Sequence, residues 1–220
     1  MLIKELRLCT NQLSSLYYFY KDLLELPLIQ SSKSLVIAAG QSQLIFEETD
    51  EEEKPFYHFA FNIPFNKFEE ALQWMQNTAE LLWLDDYKSY IADFINWHAK
   101  SFYFKDPAGN ILEIIARSDL NDTVDTPFFS GHIRNISEIG IVFPSDTFDA
   151  DVDILRSRFS LAYFNKQPPL RHFRAIGNDE GLFVVVPENR IWLSTENDRA
   201  KIFPVQISFI EKGALYDLRI

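Results

Sequence analysis

The sequence predicts an α+β fold assembled from repeated strand–helix–three-strand units. Three observations carry this. The succession of a strand, an amphipathic helix and several short strands starts three times along the chain. A hairpin closes the second round: in SFYFKDPAGNILEIIAR, residues 101–117, alternating aromatics lead through Asp106-Pro107-Ala108-Gly109-Asn110 into a β-branched run. The 20 Phe and 9 Tyr suit half-buried pleated surfaces, and 47% apolar residues in a chain of 220 can fill a sizeable core.

Residues 2–9 alternate as a strand. Leu13, Leu16, Tyr20, Leu23 and Leu24 then share one face of a helix, with Asn11 or Ser14 as its cap and Pro27 just past its end. Short strands near 28–30, 34–38 and 43–47 complete a first unit, 1–53, with Gly40 in the last hairpin. The second unit, 54–117, begins with a strand at 56–63. Pro64 stops it, Asn66-Lys67-Phe68-Glu69 resembles a capping box, and Phe68, Leu72, Met75, Ala79 and Leu82 mark a helix face. Residues 84–97 read equally as strand or short helix, and the 101–117 hairpin closes the unit.

Together these units predict a complete first domain, 1–117, followed by a polar, turn-rich linker at 118–131. A third unit, 132–200, runs through a strand at 136–143 and a helix marked by Phe148, Val152, Leu155 and Phe159. Strands near 161–164, 172–176, 182–186 and 191–193 follow, and 204–209 starts a partial fourth unit within 201–220. The second domain, 132–220, is thus expected to be a degenerate, shortened copy of the first.

Composition narrows the function classes. A formal charge of −11 sets the chain against general nucleic-acid binding, because a phosphate backbone would be repelled. Residues 47–53 hold much of that charge and read as a solvated linker. No apolar run is long enough to span a bilayer, and no signal peptide precedes the first strand, so no membrane role is expected. The single cysteine, Cys9, leaves no intramolecular disulfide to form, which fits the cytoplasm.

One residue interrupts the apolar return strand of the hairpin. Glu113 is a carboxylate where burial is expected, and an unpaired buried carboxylate is costly. A cation, a donor or a cavity should face it.

The repeated βαβββ unit closing on FKDPAGNILE resembles the vicinal oxygen chelate superfamily. That group holds glyoxalase I, extradiol ring-cleaving dioxygenases, methylmalonyl-CoA epimerase and the bleomycin- and fosfomycin-resistance proteins. SFYFKDPAGNILE at 101–113 and YHFAF at 57–61 carry the match, with Tyr18-Phe19-Tyr20 a looser third feature. It is good over 1–117 and weak over 132–220. The resemblance implies two units cupped around a cavity, with a divalent metal held from the first strand of each unit and the last strand of the second.

Those positions are Glu5, His58 and Glu113, a set that suits Mn, Zn, Ni or Fe with open positions for substrate oxygens. Leu44 and Ile45 stand where the first unit often supplies another carboxylate. Glu5 occupies a position that is commonly His or Gln, which argues against ring cleavage at a two-His, one-carboxylate iron. Glu5 is also the expected proton-moving group, and Tyr103 the expected catalytic residue on the substrate wall. Arg7 and Cys9 share strand parity with Glu5, and Trp97 and Ser101 with Tyr103, so all line the predicted pocket. Arg117 joins them, and it or Arg7 is the alternative partner of Glu113 should no metal bind.

The positions that hold a phosphonate in fosfomycin-resistance transferases fall on Asp93 and Trp97, so fosfomycin is not the expected substrate. In the second half Glu138 repeats the position of Glu5 and Gln206 that of His58, but no carboxylate answers Glu113. That half is expected to pack on the first and need not bind metal, and His98, His132 and His172 are expected to be structural or exposed.

Two functions remain open. One is a metal-dependent isomerase, lyase or dioxygenase-like enzyme that chelates two oxygens of a small substrate. The other is a metal-free protein that sequesters an aromatic or hydrophobic small molecule, as bleomycin-resistance proteins do. Either takes a small-molecule partner, and the units cup within one chain or across a homodimer.

Overall fold

The computed structural model describes residues 1–193, 195 and 197–220. The first unit begins with β1 (Leu2–Thr10), where a bulge between Ile3 and Glu5 lets Ile3 and Leu6 face one core although three residues apart. α1 (Leu13–Tyr18) runs into a single π turn over Phe19–Leu23. The extra residue in that turn rotates Phe19 inward beside Leu16, Tyr20 and Leu24 and leaves Leu23 50% exposed. A regular helix had predicted Leu23 in the core. β2 (Leu28–Gln30), β3 (Ser34–Ala39) and β4 (Ser42–Glu48) follow, and β4 returns parallel to β1.

The second unit repeats the order with β5 (His58–Ile63), α2 (Phe68–Gln76), β6 (Ile91–Phe94), β7 (Ala99–Lys105) and β8 (Ile111–Arg117). The segment 84–97 resolves into both readings, the short β6 and a single 3-10 turn, Ile95–Trp97. The expected capping box does not form. A 3-10 turn at Phe65–Lys67 enters α2, and the Asn66 amide instead exchanges hydrogen bonds with Val124 N (3.2 Å) and O (2.8 Å). Glu70 accepts from Phe128 N at 2.7 Å, so the 118–131 segment is strapped along α2.

β9 (Asn135–Phe143), α3 (Phe148–Phe159), β10 (Arg174–Asn178) and β11 (Gly181–Pro187) make the third unit. The strands expected at 161–164 and 191–193 are only single bridges, Tyr163 to Ile176 and Ile191 to Arg199. A hairpin, β12 (Val205–Glu211) and β13 (Ala214–Arg219), is the partial fourth unit. Among the described residues no helix is long and apolar enough to cross a membrane.

Strand pairing joins the second unit to the third and the first to the fourth. β5 lies between β8, parallel to it, and β9, antiparallel to it. β1 lies between β4 and the antiparallel β12. Among the described residues the units 1–53 and 54–117, read from sequence as one domain, share no ladder. They meet through side chains in a common core, where Tyr20 packs on Phe46 and Phe46 on Phe59.

The two pairs adjoin where β1 touches β9 at Ile3 and Ile136. Ser42 Oγ donates to Ile3 O at 2.6 Å and accepts from Ile136 N at 2.9 Å, spanning that contact. Gly40 turns the neighbouring hairpin at φ +60°, and a Cβ there would fall 2.1 Å from Arg134 O. Gly40→Ala should therefore lower stability by at least about 2 kcal/mol, read as a lower urea midpoint at unchanged slope.

Asp106 organises the turn of the 101–117 hairpin. Its buried carboxyl accepts from Ala108 N (3.0 Å), Asn110 N (3.0 Å), Asn110 Nδ2 (2.8 Å) and the Tyr20 hydroxyl (3.0 Å). Asp106→Ala strands these donors and should destabilise by about 3 kcal/mol in the same measurement. Burial pushes the Asp106 pKa from 3.8 up to about 6 against those donors. A raised folded pKa means the native state holds the proton more tightly. That contribution is complete below the unfolded value and is lost as pH rises through the folded one. Asp106→Asn should remove a decline of about 3 kcal/mol that the native chain shows between those values.

Candidate functional site

The site follows from ladder register. Ala60 on β5 stands opposite Glu113 across the β8 ladder and opposite Glu138 across the β9 ladder. Residues directly opposite share a face, and so do residues two apart on a strand. His58 therefore projects to the same side as both carboxylates, and Tyr103 joins them because it lies opposite Glu113 on β7. His58, Glu113 and Glu138 are all buried, and each offers a ligand atom within 4.8 Å of the others.

Their electrostatics are unbalanced. His58 Nδ1 lies 3.2 Å from Ile111 O, which can only accept, so Nδ1 carries the proton and Nε2 presents a lone pair. That nitrogen is 3.7 Å from Glu113 Oε2. Burial pushes the His58 pKa down to about 4; the Ile111 bond opposes this and the Arg190 charge adds to it. Burial, then the Glu138 carboxylate, holds Glu113 well above the usual carboxylate range.

The Ser101 hydroxyl, Arg117 and the Tyr103 hydroxyl pull the other way on Glu113. Their hold is loose, since Ser101 Oγ and Glu113 Oε1 are buried without a hydrogen-bond partner. Glu138 is raised by burial against the Arg117 guanidinium, which donates to its Oε1.

Arg117 is the fully buried support beneath this floor. It also reaches Asp179 at 3.7 Å and lies 5.4 Å from the Trp97 ring centroid. Above the floor is a cavity of about 290 Å³ walled by Tyr87, Phe94, Trp97, Phe173 and Trp192, with Arg190 among its lining residues. Gly140 makes room for one wall: a Cβ there would sit 2.6 Å from the Trp192 ring, which packs 5.1 Å from the His58 ring.

The sequence-predicted residues divide between two places. His58, Glu113, Tyr103 and Trp97 meet at this cavity, with Ser101 buried beside Glu113. Arg117 lies under the cavity rather than on its wall. Glu5 is elsewhere, bound to Arg7 at 2.7 Å, and Arg7 is bound to Glu47 at 2.8 Å in a half-exposed cluster. Cys9 accompanies that cluster, its backbone N donating to the Tyr57 hydroxyl at 3.2 Å.

The physical reason is the pairing of units. Glu5 stands opposite Ser208 and Arg7 opposite Gln206, so Glu5 and Gln206 mirror Glu138 and His58 in the other pair. There β13 takes the flank that β8 holds beside β5, and its Asp217, opposite Ser208, is exposed. The second half, expected to pack on the first without needing to bind metal, brings Glu138 into this cluster and Phe173, Arg190 and Trp192 to the cavity. The repeat in the sequence marks Glu138; nothing local marks Arg190 or Trp192.

No family model matches the sequence, and no curated protein matches it. Among solved structures, a putative dioxygenase from Bacillus subtilis is similar over 84% of this chain and 63% of its own, at 14% identity and a TM-score of 0.59. A lactoylglutathione lyase from Agrobacterium tumefaciens matches 52% of this chain and 92% of its own at 19% identity and TM-score 0.41. A fosfomycin resistance protein from Listeria monocytogenes matches 52% and 91% at 17% identity and TM-score 0.41. The dioxygenase alignment is longer than residues 1–117 could supply, so the shared architecture extends into the second half. With its second and third units paired about one cavity, the chain has the fold of the vicinal oxygen chelate superfamily.

Proposed function

We propose that the chain is a metal-dependent enzyme of the vicinal oxygen chelate type, in which His58, Glu113 and Glu138 hold one divalent cation. The observation that carries this reading is the pair of facing acceptors, His58 Nε2 and Glu113 Oε2, 3.7 Å apart, beside the orphaned Glu113 Oε1. Buried imidazole and carboxyl lone pairs whose nearest donors do not close hydrogen bonds to them, once Glu113 gives up its proton, fit a cation. One imidazole with two carboxylates suits Mn, Fe, Zn or Ni. When bound, such an ion acts as a Lewis acid toward the oxygens of a small substrate, as an isomerase, lyase or dioxygenase-like reaction needs.

The chain's own residues do the rest. Arg117 holds Oε1 of Glu138 and so fixes that carboxylate against the floor. Without a cation, Glu113 keeps a proton that uptake would release. The Tyr103 hydroxyl, whose pKa burial raises far above normal, stays protonated and serves as a neutral donor beside Glu113 rather than as a base. The aromatic walls exclude water and grip an apolar substrate body.

A second reading, metal-free sequestration of an aromatic molecule, draws support from Arg117 already compensating Glu138. Titration separates the two. Protein purified without chelator should take up one Mn, Zn, Ni or Fe ion per chain, by elemental analysis and calorimetry. His58→Ala and Glu113→Gln should each weaken uptake by about a hundredfold, while Glu5→Gln leaves it unchanged. No uptake by the native chain, or equal uptake by His58→Ala, leaves sequestration as the function.

A further inference from the structure

The floor of the cavity accounts for His58, Glu113 and Glu138, but not for Arg190. Among the described lining residues Arg190 is the one permanent cation, and no carboxylate among them closes an ion pair with it. Burial pushes its pKa down. The other buried guanidinium, Arg117, is committed to Glu138 and Asp179. Asp85 and Asp86 share an adjoining surface hollow with Arg190, which puts Arg190 at the rim between that hollow and the cavity.

Arg190 is also held in place. Its backbone N donates to Pro187 O at 3.3 Å, and its carbonyl accepts from Ala200 N at 2.7 Å, pinning the turn after β11. Its guanidinium lies 5.3 Å from the Phe173 ring centroid, a cation–π contact that orients the group without using its hydrogen-bond donors. A half-buried, oriented guanidinium whose donors make no side-chain hydrogen bond among the described residues is suited to bind a planar anion.

We infer that Arg190 anchors the carboxylate of a small monoanionic ligand whose flat apolar body lies between the aromatic walls and whose far end faces His58 and Glu113. The volume of about 290 Å³ suits a body the size of one aromatic ring with a short substituent. In a chain of charge −11 the anion is recognised locally, by this one guanidinium, and not by the long-range field. The inference rests on the cavity being the functional site, but not on metal uptake.

Trp97 and Trp192 line the cavity and report its occupancy by fluorescence. Full-length protein in EDTA would be titrated with benzoate and with its neutral isostere benzamide. Benzoate should quench saturably and bind about tenfold more tightly than benzamide. Arg190→Met should abolish that preference while leaving benzamide quenching intact, which also shows that the variant is folded, and Arg190→Lys should restore part of it.

Equal affinity for the two probes, no saturable quenching by benzoate, or an unchanged preference in Arg190→Met would each overturn the inference. Because these readings are made in EDTA, failure of metal uptake leaves them standing. Their failure in turn leaves the metal titration standing.

Discussion

Ala60 sits between two ladders with a glutamate across each, and the centre of the molecule depends on that register. Strand geometry has a period of two, so once β5 takes β8 on one side and β9 on the other, His58, Glu113 and Glu138 must converge on one face. A slip of one residue in either ladder would send a carboxylate into the apolar core beneath. The methyl of Ala60 also leaves its two neighbours room to approach. Gly140 plays a comparable part for Trp192 against His58.

Gathering those acids out of water is unfavourable, and what surrounds them is organised to offset it. Arg117 is fully buried under the floor, and its charge connects outward through Asp179, Lys166 and Asp119 to His98 at the surface. Buried ion pairs contribute little net stability, but losing one member leaves a stranded charge. The network ties β8 to the third unit and fixes where Glu138 stands. The compensation is incomplete at Glu113 Oε1 and Ser101 Oγ on the cavity side, and at Nε and Nη1 of Arg117 beneath the floor.

The two unit pairs place equivalent register positions in different surroundings. Glu5, Gln206 and the exposed Asp217 occupy the register positions of Glu138, His58 and Glu113. There, Arg7 spans Glu5 and Glu47, and the charges close among themselves. In the other pair His58, Glu113 and Glu138 are buried beneath the aromatic walls of the second and third units, and burial strengthens the electrostatic interactions among them.

Much of the fold was legible locally. The alternation, the helix faces and the turn chemistry of Asp106 to Asn110 specify βαβββ units, because propensity and period act over a few residues. Glu113 stood out as the carboxylate within an apolar run, whereas His58 was marked by the resemblance of YHFAF. Tertiary structure alone decided which units pair. The edges of β1 and β5 are chemically alike, and the choice of β12 for one and β9 for the other rests on contacts between residues far apart in the chain. That choice moved Glu5 out of the site and Glu138 into it. It also set Arg190, with no local pattern to mark it, above an apolar cavity that one half of the chain could not enclose.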